Sequence, residues 1–293
     1  MLQIHPAAPA GAAGKIRASR PRECIIGKLR CCLPAESYTR LRIVAQTLSR
    51  PVYNKAQVSA SHVPASLLDR ACEPYRNAGR FAYYFARGKL RADPVYGAIL
   101  KLGLLSGRAR ILDLGCGQAL LAACLQAALR TYEGGNWPQG WPPAPRPQST
   151  LGIELMPRDV ERARRALGPA CVSRGDIRVA EFGECDAVVM LDVLHYMPGA
   201  AQRTVLRRVR AALPARGLLL LRVGDAGGGL RFRYSQWVDK LVMLFRARSI
   251  AATHCRSIAQ WRELLSECGF EVQARPMSQG TRFANVLLIA YAH

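Results

Sequence analysis

The sequence predicts an α/β fold built around a mostly parallel β-sheet. The first observation is Asp113-Leu-Gly-Cys-Gly117, a glycine turn that follows the aliphatic pair Ile111-Leu112 and opens into an apolar helical run from Gln118. The second is that short apolar strands and amphipathic helices then alternate as far as residue 223, which is typical of βα units. The third is that the chain ends in two strand patterns separated by a short turn, which indicates a terminal hairpin.

The residues before this turn predict two preceding regions. The chain has 293 residues and a net charge of +22, and the excess positive charge is densest in its N-terminal third. Residues 1–62 are rich in Pro, Ala, Gly and Arg and show little periodicity, so we expect a basic, poorly ordered extension. Residues 63–107 predict a helical cap, with Asp93 as the N-cap of its last helix. The main domain is then 108–293.

The elements of the main domain follow from its apolar runs and helix-ending residues. We predict strands at 109–114, 149–153, 170–173, 186–191, 217–223, 270–277 and 284–292. Helices are expected from Gln118, over 157–167, over 200–213 with its arginines on a solvated face, and after a capping box at Ser257. Residues 133–148 are rich in Pro, Gly and Trp, which predicts an irregular surface insertion between a helix and the second strand.

The glycine turn is suited to binding a ligand. A helix N-terminus offers unpaired backbone N–H groups, and glycines let a ligand approach them closely. The dinucleotide-binding fingerprint requires a third glycine three residues after the second, and Leu120 occupies that position. A nicotinamide-dependent reductase is therefore the weaker alternative.

An acid two residues before the first glycine gives the turn the pattern D-x-G-x-G, which resembles the donor-binding loop of class I S-adenosylmethionine-dependent methyltransferases. Three later segments are similar to that family's motifs in order: Glu154 after the second strand, Gly175-Asp176 after the third, and Asp192-Val-Leu-His195 after the fourth. The resemblance covers residues 93–293. It implies a Rossmann-like, doubly wound, seven-stranded sheet with a C-terminal antiparallel hairpin and a helical N-terminal cover. It also implies an enzyme with S-adenosyl-L-methionine as cofactor. A cytoplasmic location is expected because the ten cysteines are scattered without a C-x-x-C pair, as reduced thiols are.

The resemblance assigns a donor site to the ends of four strands. Glu154 would accept hydrogen bonds from the ribose diol, or alternatively it only caps the following helix. Asp176 would lie near the adenine, although Gly-Asp also forms ordinary turns. The implied cofactor-binding residues are Asp113, Gly115, Cys116, Gly117, Glu154, Leu155, Asp176, Ile177 and Asp192.

The acceptor side of the site is less specified. His195 and Tyr196 after the fourth strand, and His254 from a segment expected to cover the substrate, are candidates for catalysis, although His195 could instead only pack against the cofactor. The expected substrate contacts are Arg80, Tyr83, Tyr84, Arg231 and Tyr234. No His/Cys cluster has zinc spacing, and no metal is expected.

Two motifs that are missing argue against nucleic-acid acceptors, although the sequence does not identify the acceptor. Asp192-Val-Leu-His195 replaces the Asn/Asp-Pro-Pro-aromatic motif of adenine N6 methyltransferases, and no Pro-Cys dipeptide supplies the nucleophile of RNA cytosine-C5 enzymes. A small organic acceptor is therefore expected. The stretch Arg80–Leu90 resembles methyltransferases encoded beside aryl-polyene and fatty-acid-type pigment pathways, which implies an aromatic or carrier-bound acceptor.

The charge of the chain leaves other partners open. A basic N-terminal third would suit an acidic carrier protein, whereas an RNA-binding protein or RNA methyltransferase is the alternative that net charge alone supports. Apolar runs are shorter than the roughly 18 residues of a membrane span. The sequence gives no prediction of the oligomeric state.

Overall fold

The computed structural model describes residues 62–226, 254–277 and 285–293. Seven helices occur in these ranges: α1 (Ala65–Cys72), α2 (Arg80–Ala92), α3 (Pro94–Lys101), α4 (Leu120–Glu133), α5 (Pro157–Leu167), α6 (Gly199–Ala212) and α7 (Ile258–Glu267). The strands are β1 (Arg110–Leu114), β2 (Ser149–Glu154), β3 (Val172–Arg174), β4 (Ala187–Leu191), β5 (Leu218–Gly224), β6 (Phe270–Pro276) and β7 (Asn285–Ala292). Short 3₁₀ segments lie at Glu73–Ala78, Pro169–Cys171 and Leu194–Tyr196.

The strands form one sheet in the order β3-β2-β1-β4-β5-β7-β6. The first five strands pair in parallel, and β7 runs antiparallel to both β5 and β6. This confirms the predicted doubly wound sheet with its antiparallel C-terminal pair. The order reverses between β1 and β4, which is where open α/β sheets bind their ligands, at the carboxyl ends of the strands.

Alternating residues of the strands pack into two apolar layers, one on each face of the sheet. Ile111 and Val189 lie in the layer formed with α1–α4, whereas Leu112 and Val188 lie in the layer formed with α6 and α7. The predicted helical cap is therefore part of the core. Asp93 caps α3 as expected, because its side chain accepts the Val95 N–H at 3.1 Å.

The predicted strand bounds agree with the structure to within two residues. The largest shift is at β3, which begins at Val172 rather than at 170 because Pro169–Cys171 forms a 3₁₀ turn. The capping box at Ser257 and Gln260 is confirmed. The predicted extension, residues 1–62, lies outside the described residues apart from His62.

The Trp-rich segment after α4 is an irregular surface insertion that is anchored to the core. Residues 134–148 contain no helix or strand, as predicted, and their partly buried tryptophans pack against the core. The Trp137 and Trp141 rings meet edge to face with centroids 5.5 Å apart, and the Trp137 indole N–H donates to the Pro142 carbonyl at 2.8 Å. Ala144 is 5% exposed. Two indoles supply enough apolar area to anchor the segment without regular backbone hydrogen bonds.

The arginines of α6 correct one expectation, because three of the four are bound to protein groups rather than simply solvated. Arg208 donates to the Ile177 carbonyl at 2.9 Å and also to the Ala180 carbonyl. Arg210 donates to the Gly269 carbonyl at 3.2 Å, and Arg203 pairs with a glutamate of α7. These contacts fix α6 to the β3–β4 connection and to the C-terminal elements. No helix in the described part of the chain combines the length and the apolar character needed to cross a membrane.

Candidate functional site

The loop after β1 leaves its backbone open at the carboxyl edge of the sheet. Gly115 and Gly117 have φ values of 74° and 57°, which glycine adopts without strain. A Cβ on Gly115 would lie 2.6 Å from a methyl group of Val193, so this glycine allows the loop to approach the end of β4. A Cβ on Gly117 would meet no atom within 4 Å. The space beside the Gly117 Cα is therefore open to a ligand.

Glu154, at the end of β2, connects this loop to the start of α5. Its Oε2 accepts the Gly117 N–H at 2.9 Å, and its Oε1 accepts the Met156 N–H at 2.8 Å. Met156 is the N-cap residue of α5. Both interpretations of Glu154 are thus compatible with its position, since it lies beside the glycine turn and also bonds the backbone that enters the helix.

A second carboxylate lies beside Glu154. Asp113 is 6% exposed, and burial together with the negative charge of Glu154 raises the pKa of its carboxyl group to about 7. Two acids next to an open glycine loop form a site that is favourable for a cation with hydroxyl donors. The donor set therefore fits S-adenosylmethionine, which carries a sulfonium, an ammonium and a ribose diol.

The segment after β3 is organised by Asp176. Its carboxylate accepts the backbone N–H of Arg178 at 2.9 Å and pairs with the Arg178 guanidinium at 2.5 Å. In this structure Asp176 therefore forms the local turn that its Gly-Asp sequence also allows. Ile177 is 5% exposed and belongs to the core, whereas Val179 is 77% exposed. Leu155, which follows Glu154, is also exposed. Exposed apolar side chains thus follow both motifs, Leu155 after Glu154 and Val179 after Asp176.

Asp192, after β4, belongs to a charged network that the sequence did not predict. Its φ is 59°, and its carboxylate binds Arg222 of β5, with the Nε bond at 2.8 Å, and Lys89 of α2 at 3.7 Å. Arg222 is 1% exposed and also binds Asp93. Although burial acts in the opposite direction, Arg222 and Lys89 hold the pKa of Asp192 below its usual value. The sequence feature that could have identified Arg222 is its position as a charged residue inside the apolar run of residues 217–223.

The three candidate catalytic residues lie together. His195 is 8% exposed, its ring centroid lies 4.0 Å from that of Tyr196, and its carbonyl accepts the His254 N–H at 2.8 Å. Buried Gln202 of α6 fastens this arrangement, since its side-chain amide donates to the Leu194 carbonyl at 3.1 Å and to the His254 carbonyl at 2.8 Å. Sequence patterns did not identify Gln202.

Helix α2 crosses the carboxyl edge of the sheet. Near its first turn, the Phe81 ring lies 4.3 Å from the Arg162 guanidinium of α5, and near its last turn Lys89 reaches Asp192 after β4. Phe81 is 61% exposed and stacks on Phe85 with centroids 6.0 Å apart. The helix thus contacts α5, which follows β2, through Phe81, and the residue after β4 through Lys89.

The expected substrate residues are only partly described. Arg80, Tyr83 and Tyr84 all lie on α2; Tyr84 is 62% exposed, and the Tyr83 ring packs under Arg76 at 4.5 Å. Arg231 and Tyr234 lie outside the described residues. Within the described ranges, no group of three or more His, Cys, Asp or Glu side chains could hold a metal ion.

Comparisons with known proteins agree with this geometry. A family model described as a methyltransferase domain matches residues 78–275. The carboxy-S-adenosyl-L-methionine synthase of Chromohalobacter salexigens is 31% identical over 143 residues, which are 45% of this chain and 48% of that protein. The chain therefore matches about half the length of this curated relative.

Solved structures share the fold. An O-methyltransferase family protein from Burkholderia thailandensis has a TM-score of 0.50 at 18% identity, over 74% of this chain and 61% of that one. An O-methyltransferase family 2 protein from Planctomyces limnophilus, solved in complex with apigenin, has a TM-score of 0.50 at 16% identity, over 78% and 65%. Because the family model spans more than half of the sequence, the chain belongs to the class I S-adenosylmethionine-dependent methyltransferases, enzymes whose cofactor is S-adenosyl-L-methionine.

Proposed function

We propose that this protein transfers the methyl group of S-adenosylmethionine to a small organic acceptor. The observation that carries the proposal is the open Gly117 backbone beside the paired carboxylates of Asp113 and Glu154. The sulfonium of the bound cofactor supplies a methyl group that is already activated for displacement. The protein therefore has to align the acceptor and exclude water, and a protein nucleophile is not required.

Different residues of the chain bind different parts of the donor. Asp113 and Glu154 provide a negative environment for its cationic groups, and Glu154 exchanges the Gly117 N–H for the ribose hydroxyls. Leu155 and Val179 are exposed apolar side chains that pack against the adenine. Asp176 meets the adenine amine from a turn that Arg208 supports through the Ile177 carbonyl.

The acceptor binds under α2. Phe81 and Phe85 form a stacked, solvent-accessible pair on a helix that spans the region after β2 and β4, and flat aromatic molecules pack favourably on such rings. This supports an aromatic acceptor. The positive charge of the N-terminal third supports delivery of that acceptor on an acidic carrier protein, and the cytoplasmic location stays a prediction.

Binding and product analysis test the proposal. Calorimetric titration with S-adenosylhomocysteine should show binding, and the ligand should raise the melting temperature because it binds the folded state selectively. Incubation with methyl-labelled S-adenosylmethionine and an extract of the native cells should transfer the label to a small molecule. Failure to bind either compound, or binding of NADH in their place, would overturn the proposal.

Mass spectrometry of the spent cofactor gives a sharper criterion. Methyl transfer leaves S-adenosylhomocysteine, whereas a carboxylated S-adenosylmethionine would point to the reaction named for the Chromohalobacter relative. Label retained on RNA, with retention that falls steeply as salt rises, would favour the RNA alternative instead.

A further inference from the structure

The donor-binding loop ends in a strained residue. Ala119 has φ 59° and ψ 40°, the left-handed region that residues with a Cβ rarely adopt. It directly precedes α4, and no side chain caps that helix. Ala119 is 1% exposed. A backbone in this conformation persists only where surrounding contacts impose it. One of these contacts is local, because the Ala119 N–H donates to the Cys116 carbonyl at 3.0 Å.

A tyrosine from the helical cap makes a long-range contact with the peptide unit that precedes Ala119. The Tyr75 hydroxyl donates to the Gln118 carbonyl at 2.7 Å, in a buried hydrogen bond between residues 43 positions apart. Tyr75 is 0% exposed and lies in the 3₁₀ segment Glu73–Ala78, which packs against α5. The Gln118 carbonyl belongs to the peptide unit that enters Ala119. The φ angle of Ala119 is the rotation about its N–Cα bond, which adjoins that peptide unit, so a held carbonyl restricts φ.

The loop has a second contact of a different kind. Glu154 accepts the Gly117 N–H, but the proposed donor site requires the same carboxylate for the ribose. That contact is therefore exchanged when the donor binds. The Tyr75 bond holds the Gln118–Ala119 peptide unit, two units further along the chain, and involves no group of the proposed donor site. Gln118 is itself 2% exposed, and its side-chain amide donates to Asp159 of α5 at 3.4 Å.

We propose that Tyr75 is a positioning residue for the donor loop: its hydroxyl holds the Gln118–Ala119 peptide in the left-handed conformation that keeps the Gly117 backbone directed at S-adenosylmethionine. The inference rests on the proposed donor site and extends it to the helical cap. Correct folding of the segment before β1 then becomes a condition for tight donor binding.

The test uses a double-mutant cycle between Tyr75→Phe and Ala119→Gly, with S-adenosylhomocysteine affinity measured by calorimetry on the full chain. Tyr75→Phe keeps the buried ring and removes one hydrogen bond, and we expect about 5- to 10-fold weaker binding. Ala119→Gly makes the left-handed conformation accessible without strain, so the double variant should recover to within about threefold of the wild type. Tyr291→Phe in β7 is the matched control and should leave the affinity unchanged.

The outcomes separate this inference from the donor site itself. A wild-type protein that does not bind S-adenosylhomocysteine overturns the proposed function. Normal wild-type binding with unchanged affinity in Tyr75→Phe overturns the role of Tyr75 alone. Weaker binding that Ala119→Gly does not rescue also overturns it, because the loss would then not arise from the strained peptide. If Tyr75→Phe does not fold, the S-adenosylhomocysteine affinity of Ala119→Gly is compared with that of the double variant. A tenfold difference between these two affinities counts against the proposal.

Discussion

The Gly117 N–H donates to the Glu154 carboxylate at 2.9 Å, so the glycine turn after β1 and the acid after β2 are in direct contact. They are separated by 37 positions in the sequence, and the parallel pairing of β1 with β2 brings them to the same edge of the sheet. This contact places a negatively charged acceptor at the position where a ribose diol would approach the loop.

Replacing Glu154 should therefore impair donor binding. We expect Glu154→Ala to weaken S-adenosylhomocysteine binding by about 10-fold or more, because charged hydrogen bonds to the ribose are lost. Glu154→Gln retains one acceptor oxygen and should be intermediate. Titration calorimetry measures both affinities, with circular dichroism to show that β2 and α5 remain folded. Unchanged affinity in Glu154→Ala would remove the ribose assignment.

Asp113 should reduce the stability of the free protein while it promotes binding. Its pKa is raised from 3.8 to about 7, so in the range between these values the folded state retains a proton that the unfolded chain has lost. Stability therefore falls as pH rises from about 4 to about 7, and the loss is complete above pH 7. Asp113→Asn should remove this dependence and stabilise the unliganded protein by about 1 kcal/mol or more at pH 8.

The same variant should bind S-adenosylmethionine poorly at every pH, whereas wild-type affinity should rise as the pH increases through 7. Urea unfolding at pH 5 and pH 8, together with titrations at the same two values, measures both effects. An Asp113→Asn variant that is less stable than the wild type at pH 8 would contradict this prediction. It would show that other groups of the folded protein stabilise the charged Asp113 carboxylate.

Arg222 should be essential for stability because it neutralises two acids from distant parts of the chain. Arg222→Met leaves Asp93 and Asp192 without their buried cation, and we expect a loss of about 3 to 5 kcal/mol at neutral pH. The loss should be smaller at pH 5, because the two carboxylates, left with Lys89 as their neighbouring cation, take up protons more readily. Arg207→Met, at an exposed position of α6, is the control for urea unfolding at both pH values. Equal stability of the two variants would contradict a central role for Arg222.

Patterns within short segments predicted the sheet and the glycine turn. Strands β1, β4 and β5 are apolar runs bounded by polar residues or glycine, and a buried parallel strand requires that composition. Individual contacts between distant segments outside the donor motifs were not predicted. Arg222 and Asp93 are 129 positions apart, and nothing in either local sequence identifies the other. The packing of Trp137 was missed for a related reason, since a Pro- and Gly-rich composition excludes regular structure without excluding burial.

The last prediction concerns the proton of the acceptor. A phenol-type acceptor loses a proton during methyl transfer, and an imidazole is the side chain that most often accepts one near neutral pH. His195 is almost buried, whereas His254 is exposed, and the two are joined by the His254 N–H to His195 carbonyl bond at 2.8 Å. An exposed imidazole can receive the proton and pass it to water, which favours His254 as the base.

We therefore expect His254→Ala to lower kcat by about 100-fold with a phenol-type acceptor while leaving S-adenosylhomocysteine affinity within about twofold. His195→Ala should instead reduce stability, since it removes a ring that packs on Tyr196, and should change kcat less. Rates measured against pH for both variants, once the labelled product identifies the acceptor, decide between them. If both retain the wild-type rate and pH profile, neither histidine acts as a base, and alignment of acceptor and donor accounts for the catalysis.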